Sequence, residues 1–246
     1  MTLPSANYPE PPWTYTNARI LNVACRAAHP AELYRWLPDS LVPRHEDGTF
    51  ALWFAHVPAI PELGADYTST ECGIVIPVRT RDGGHVGSTF ALMIVDNDMA
   101  LAGGREIWGY PKKLGDLSFA EAGEGNVIAE ARHKAYRNAA APAVASVRAR
   151  MDGSGADVTE LVASLEPRYL ERTVPSAYGP EPQSREVLRV AHRNARIHSE
   201  IRRGTAEVSF GVTDEGFDRL GPIETLGALF RVVDFVLPYA QRLEQA

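Results

Sequence analysis

Short β-forming runs separated by glycine and proline extend over the whole chain, and this punctuation constrains the fold more than any other feature. The 246 residues contain 20 glycines and 18 prolines. The runs between them are rich in Val, Ile, Phe and Tyr and have strand lengths. Some runs alternate, as where Val208, Phe210 and Val212 share one face. The pattern predicts a mainly β fold whose sheet buries one face.

The sequence predicts ten strands and three short helices. The strands are Thr16–Arg26, Thr49–His56, Glu71–Thr80, Gly87–Asp96, Leu117–Ala122, Val127–Tyr136, Ala143–Met151, Arg168–Pro175, Val187–His198 and Thr205–Val212. The helices are Pro30–Trp36, Asp157–Leu165 and Pro238–Gln245. No repeat or long linker divides the chain, so we expect a single domain over residues 1–246.

Composition narrows the class of protein. With 45% hydrophobic and 23% charged residues, the chain has enough apolar side chains for a full core. A net charge of −6 argues against a nucleic-acid partner, which would require a clustered basic face. The longest apolar runs are too short to span a membrane. Two cysteines and no leader-like start predict a cytoplasmic protein without a disulfide framework.

Metal and cofactor motifs are absent from the sequence. The seven histidines never pair at i, i+2 or i, i+4, and there is no Cys-x-x-Cys. Gly103-Gly104-Arg105 lacks the spacing of a dinucleotide-binding loop. No Gly-x-Ser-x-Gly elbow occurs either. We therefore expect neither a metal nor a cofactor.

Lysine is scarce, and its placement is unusual. Lys112, Lys113 and Lys134 are the only three lysines among the 25 basic residues. Lys112 and Lys113 lie near the end of the segment Gly103–Gly115, which also contains four glycines, two aromatic residues and a proline. A lysine amine attacks a carbonyl only when it is neutral, which requires a second cation or a dry pocket to lower its pKa. In a regular strand, residues 112 and 113 would face opposite sides, so only one would line a pocket.

This segment resembles a known family. Gly104-Arg105-Glu106, followed by Tyr110-Pro111-Lys112-Lys113-Leu114-Gly115, is similar to the active-site segment of the acetoacetate decarboxylase family. Tyr67–Val78 and Asp234–Leu243 also resemble family segments, and the similarity runs from about Pro12 to the last residues. The resemblance implies a closed, cone-shaped antiparallel β-barrel with a few helices, assembled as a homo-oligomer.

The resemblance also implies roles for individual residues. Lys112 would be the Schiff-base lysine, Lys113 the neighbour that lowers its pKa, and Glu71 the glutamate of the catalytic pocket. Apart from the resemblance, we expect Trp108 and Tyr110 to pack in the core, and of the two Tyr110 is the candidate to reach a substrate through its hydroxyl.

Two positions depart from the family pattern. The family has a carboxylate-binding arginine directly after an asparagine in the first strand, whereas Ala18 follows Asn17 here and Arg19 comes one place later. A shift of one residue turns a side chain to the other face of a strand unless a bulge intervenes. Arg19 is nevertheless the candidate for binding the substrate. A second glutamate is missing from Trp53–His56.

Three functions follow from these observations. The first is a Schiff-base lyase that decarboxylates acetoacetate or a related small 3-oxo acid. The second uses the same imine on a 2-oxo acid such as pyruvate, as an aldolase-dehydratase or hydratase. The third is a non-catalytic barrel that binds a small ligand. A small oxo acid is the expected partner in both enzymatic interpretations.

Overall fold

The computed structural model describes residues 8–123, 125–134 and 142–243, and these form 14 strands and a few short helices. The strands are β1 Trp13–Ala27, β2 Leu41–Pro43, β3 Thr49–Val57, β4 Ser69–Thr80, β5 Val86–Val95, β6 Lys112–Ala122, β7 Asn126–His133, β8 Ala143–Arg150, β9 Arg168–Val174, β10 Ser184–Val190, β11 Arg193–Ile197, β12 Arg202–Phe210, β13 Ile223–Leu237 and β14 Gln241–Arg242. The helices are α1 Pro30–Tyr34, α2 Asp98–Gly103 and α3 Thr159–Ala163, with 3-10 turns at Pro61–Leu63 and Phe217–Leu220 and a π-helical turn at Gly104–Trp108.

Nine strands close into a ring. Its order is β4, β5, β6, β7, β8, β12, β13, β1, β3 and back to β4. Every pair in the ring is antiparallel except β5 with β6. One face of these strands meets in a common core that includes Leu21, Leu52, Ile74, Val147 and Phe230. Closing the ring removes exposed sheet edges.

A second ring uses part of the first. Five neighbouring strands, here called the shared wall, belong to both rings: β5, β4, β3, β1 and β13. The two outer strands of the wall, β5 and β13, each pair with two different strands along their outer edge. Strand β5 pairs with β9 near its start and with β6 near its end. Strand β13 pairs with β12 in its middle, at Ala228–Phe230, and with β11 near its end. Strand β9 pairs with β10, and a corner of two residues connects β10 to β11, so these strands complete a second ring on the other face of the wall, in which β10 and β11 are joined by the corner and not by pairing.

The shared wall is therefore buried on both faces. The core inside the second ring includes Ile20, Val75, Met93, Val190 and Phe235. The predicted mainly β, closed-barrel fold is confirmed. The ten predicted strands correspond to eleven, β1 and β3–β12, because the predicted Val187–His198 is divided into β10 and β11; residues 135 and 136 of the predicted Val127–Tyr136 lie outside the described residues.

Burial on both faces explains why the sequence analysis missed β13, the longest of the strands that it did not predict. Strand β13 has 15 residues and pairs along most of β1. Its Phe230 packs in the first core and its Val233 and Phe235 pack in the second. An apolar run packed on both faces lacks the alternation that indicates a half-buried strand.

Of the three predicted helices, two are present as α1 and α3 and one is wrong, and a further helix was not predicted. The predicted helix Pro238–Gln245 is wrong, because Gln241–Arg242 forms a strand that pairs with Leu188 and Arg189 on the edge of β10; residues 244 and 245 lie outside the described residues. Helix α2 was not predicted, although Asn97 caps it by accepting a hydrogen bond from the amide of Ala100. Its C-terminal glycines disfavour a helix locally. Within the described residues, no helix is long and apolar enough to cross a membrane.

Candidate active site

A cavity of about 220 Å³ lies inside the second ring. Aromatic and aliphatic side chains form most of its wall, and the ionisable groups fall into two sets. The lining residues are Tyr15, Ile20, Trp53, Glu71, Phe90, Met93, Tyr110, Lys112, Glu166, Arg168, His192, Ala195, Ile197, Arg231, Val233, Phe235 and Leu237.

The glycine-rich segment positions Lys112 in this cavity. The π-helical turn that follows α2 ends at Gly109, whose φ of 78° lies in the left-handed region that glycine tolerates. The amide of Tyr110 then donates to the carbonyl of Gly104 at 3.0 Å, which turns the chain into β6. A Cβ on Gly104 would lie 2.7 Å from Cδ of Lys112. Gly104 therefore leaves the space through which the lysine side chain passes.

Lys112 and Glu71 form a buried ion pair at the closed end of the cavity. Their exposed fractions are 4% and 3%. Nζ of Lys112 donates to Oε1 of Glu71 at 3.1 Å and lies 3.0 Å from Oε2. Nζ also lies 5.6 Å from the centre of the Tyr110 ring. The structure thus brings together Lys112, Glu71 and Tyr110, as the sequence analysis expected.

Tyr110 is protonated in this setting. Burial raises the pKa of its hydroxyl well above 10, and the nearby Glu166 carboxylate acts in the same direction. The hydroxyl is therefore available as a neutral hydrogen-bond donor within the cavity.

Lys113 lies on the opposite face of β6. Its side chain is 51% exposed and donates to Oε1 of Glu215 at 2.6 Å. Glu215 is 2% exposed, and its Oε2 lies 2.8 Å from Nε2 of His133. The charge of Lys113 is thus compensated by a carboxylate on the far side of the strand, and the adjacent lysines do not share a pocket.

Glu215 is expected to make stability depend on pH in the acid range. Burial alone would raise its pKa, but hydrogen bonds from Lys113 and His133 outweigh burial and lower the pKa from 4.5 to about 2. A carboxyl group whose pKa is lower in the folded state than in the unfolded state stabilises the fold at pH values above its unfolded-state pKa. This contribution is lost as the pH falls through the folded-state pKa. We expect wild type to exceed Glu215→Gln by about 3 kcal/mol in free energy of unfolding above pH 5. Urea unfolding at several pH values should show this difference shrinking between pH 4.5 and 2, whereas a constant difference would contradict the assignment.

Arg19 does not reach the cavity. Its guanidinium is 44% exposed and its Nε lies 3.1 Å from Oε1 of Glu121. Ala18 and Ile20, its neighbours in β1, pack in the core of the second ring instead. A register shift at Asn17, where φ is 51°, comes before Ala18 and leaves Arg19 on the other face. The predicted role of Arg19 in binding substrate is therefore not supported by its position.

The sequence analysis missed the other ionisable set in the cavity. Oε1 of Glu166 lies 3.3 Å from Nε of Arg168 and 3.2 Å from Nδ1 of His192. Burial lowers the pKa of His192, while Glu166 opposes this shift. The centre of the His192 ring lies 4.3 Å from the centre of the Phe235 ring. The corner between β10 and β11 places His192, and no motif marks it in the sequence.

Arg231 enters the cavity from β13, beside Ile20 of β1. Its Nε is buried, and it has no hydrogen-bond partner among the described residues. Burial lowers the pKa of this guanidinium and the nearby Arg168 lowers it further, while the Glu166 carboxylate opposes both effects. The sequence signal that could have indicated Arg231 as a cavity residue is that it is the one charged residue within the apolar run Phe230–Val233.

The fold and the site define a class of protein: a closed β-barrel whose cavity buries an amine beside a carboxylate. Within the described ranges, no group of three or more His, Cys, Asp or Glu side chains is placed to hold a metal ion. The chain belongs to the acetoacetate decarboxylase family, since the family model described as Acetoacetate decarboxylase (ADC) matches residues 2–245.

Individual relatives agree with this assignment. Acetoacetate decarboxylase of Chromobacterium violaceum is 37% identical over 120 residues, which cover 47% of this chain and 44% of that protein. The aligned region thus spans less than half of that relative. The crystal structure of acetoacetate decarboxylase from Legionella pneumophila has a TM-score of 0.83 at 21% identity, covering 99% of this chain and 92% of that one.

A second similar structure has a different name. The enduracididine biosynthesis enzyme MppR complexed with pyruvate has a TM-score of 0.77 at 18% identity, covering 98% of this chain and 93% of that one. MppR has also been solved with the condensation product of pyruvate and imidazole 4-carboxaldehyde. At these identities, the structural likeness establishes the shared fold.

Proposed function

We propose that the protein is a Schiff-base-forming lyase that acts on an oxo acid through Lys112. The observation that carries this proposal is the burial of Lys112 Nζ in the cavity, within 3.1 Å of the Glu71 carboxylate. The Glu71 carboxylate lies within hydrogen-bond reach of Nζ and can act as the general base that accepts a proton from it. The neutral amine attacks the carbonyl carbon, and loss of one water molecule leaves an iminium.

The iminium then draws electrons from a neighbouring carbon–carbon bond. With a 3-oxo acid, that bond breaks and CO₂ leaves, and its electron pair forms an enamine. Loss of water to form the iminium uses the proton that Glu71 took from the ammonium. Protonation of the enamine carbon therefore needs one further proton from solvent, which Glu71 can take up and deliver. Addition of water then releases the ketone and regenerates Lys112. The neutral Tyr110 hydroxyl is available to hold the substrate oxygen during these steps.

Lys113 contributes differently from a simple neighbouring cation. Its ion pair with Glu215 on the other face of β6 compensates its charge. We propose that Lys113 holds the start of β6 in place and so positions Lys112.

A second function uses the same iminium for carbon–carbon bond formation. His192 and Glu166 both line the cavity, with His192 Nδ1 3.2 Å from Glu166 Oε1, and such a pair is suited to acid–base catalysis. MppR, which shares this fold, has been solved with pyruvate and with a pyruvate–aldehyde condensation product. We therefore keep pyruvate aldol addition and dehydration as the alternative reaction.

Two assays separate these reactions. If decarboxylation is correct, acetoacetate should release CO₂ at least about tenfold faster than the same solution containing Lys112→Arg protein. If aldol chemistry is correct, pyruvate with an aromatic aldehyde should instead give enone absorbance that depends on Lys112. Failure of both reactions, together with tight binding of the oxo acids, would favour the non-catalytic barrel.

A further inference from the structure

We propose that Arg231, supported by Arg168, binds a carboxylate that is separated from the reacting carbonyl by an apolar chain. This inference rests on the proposed function, because it names the class of oxo acid that Lys112 would take. A substrate for decarboxylation would then be a 3-oxo dicarboxylic acid, whose second carboxylate is retained.

The first argument is the unpaired Nε of Arg231. Its Nε is buried without a hydrogen-bond partner in the described part of the chain. A buried donor left unpaired is costly, and a guanidinium pairs best with a carboxylate. Glu166, the carboxylate in this set, is already shared between Arg168 and His192.

The charge balance of the cavity gives the second argument. Lys112 and Glu71 compensate each other at the closed end. In the other set, two arginines face one carboxylate, and burial favours neutral His192. The described lining is thus one positive charge in excess, which suits one bound carboxylate.

The position of Arg231 explains why that carboxylate would be remote from the carbonyl. Pairing through Ile20 and Ala55 puts Arg231 in the same row of the shared wall as Glu71, three strands away. At about 4.8 Å between strands, this is about 14 Å along the sheet. Arg231 lies two residues along β13 from Val233, the partner of Ile197 in β11; Ile197 also lines the cavity and is 47% exposed, whereas Lys112 is almost fully buried. Arg231 is therefore at the open end and Lys112 at the closed end.

Aromatic rings separate the two ends. Lys112 Nζ lies 5.6 Å from the Tyr110 ring, which lies 5.6 Å from the Phe90 ring. The guanidinium carbon of Arg168 lies 5.0 Å from that same Phe90 ring, and Nε of Arg168 lies 3.3 Å from Oε1 of Glu166. A ligand that reaches from the amine to the arginines must therefore pass apolar walls, which favour methylene groups.

Adduct formation with matched acids and esters tests this inference. Protein is titrated with 6-oxoheptanoate or its methyl ester, each adduct is reduced with borohydride, and the modified fraction is measured by mass spectrometry. Wild type should reach half-modification at an acid concentration about tenfold or more below that of the ester, because a charge-assisted contact is lost in the ester. Arg231→Gln should remove this preference, and Arg231→Lys should keep part of it.

Pyruvate and methyl pyruvate are the short-chain comparison, since their carboxyl group adjoins the carbonyl. Arg231→Gln should leave their ratio unchanged. Arg196→Gln is the matched control, because it removes an arginine from exposed β11, outside the cavity lining. It should keep the wild-type preference, and thermal unfolding should show that each variant is folded.

Each outcome has a definite meaning. A wild-type acid-to-ester ratio near one, or a preference that survives in folded Arg231→Gln, would overturn the inference while leaving the Lys112 chemistry intact. The same holds if the pyruvate pair depends on Arg231 as strongly as the long pair. If no ketone modifies Lys112, the proposed function fails, and calorimetry with hexanoate and hexanamide still decides the arginine contact. Hexanoate should bind about tenfold more weakly to Arg231→Gln, and equal binding would overturn the inference.

Discussion

Lys112→Arg and Lys112→Ala are expected to reduce turnover of the true oxo-acid substrate by at least about 10³-fold, because each removes the amine that forms the imine. Arginine keeps the positive charge beside Glu71 but does not give up its proton to become a nucleophile. The arginine variant therefore separates the amine chemistry from the electrostatics of the buried pair. Steady-state kinetics on folded protein is the measurement.

Lys134→Arg is the matched control for that substitution. Lys134 is about half exposed and pairs with Asp116 at the surface, at a distance of 2.6 Å. The same chemical change there should leave turnover within about twofold of wild type. Substantial turnover by Lys112→Arg would contradict the mechanism.

The buried pair of Lys112 and Glu71 should have the largest effect on stability. Removing one partner leaves the other without compensation in a closed cavity, at a cost of about 3–5 kcal/mol. We expect this loss in free energy of unfolding for Lys112→Met and for Glu71→Leu. The double variant should lose much less than the sum, because neither charge remains. Urea unfolding at pH 7 measures all four proteins of the cycle.

Additive losses in the double variant would contradict this account of the pair. They would mean that Lys112 and Glu71 stabilise the fold through separate contacts rather than through each other. Lys112→Arg is the control within the cycle, since it keeps a cation that can pair with Glu71 and should lose less stability than Lys112→Met.

The sequence predicted the closed end of the cavity well because that end is built from one local segment. Glycines, an aromatic residue and a proline surround Lys112, and each has a local structural reason to be there. Gly109 needs its left-handed backbone, and Gly104 leaves space for the lysine side chain. Glu71 comes from β4, and it could be named only through the resemblance to a family.

The open end could not be predicted because it is assembled from distant strands. Arg168, His192 and Arg231 come from β9, the corner after β10, and β13. Nothing local distinguishes any of them from the other arginines and histidines, and only the closure of the second ring brings them together. Strand β13 itself lacked an alternating pattern, so its inward-facing arginine had no predicted face.

Arg19 shows the converse limit. The sequence correctly indicated that a shift of one residue would turn this arginine away, unless a bulge restored it. A bulge is present at Asn17, but it precedes Ala18 and leaves Arg19 paired with Glu121. Whether a bulge falls before or after a given residue depends on pairing with β13, which lies more than 200 residues away.

Covalent trapping at Lys112 tests the central claim most directly. Wild-type protein is incubated separately with acetoacetate and with pyruvate, reduced with borohydride, digested and sequenced by mass spectrometry. The account predicts a reduced adduct on Lys112 with at least one of these oxo acids, and none on Lys113 or Lys134. An unmodified Lys112 with both acids, or equal labelling of all three lysines, would contradict it.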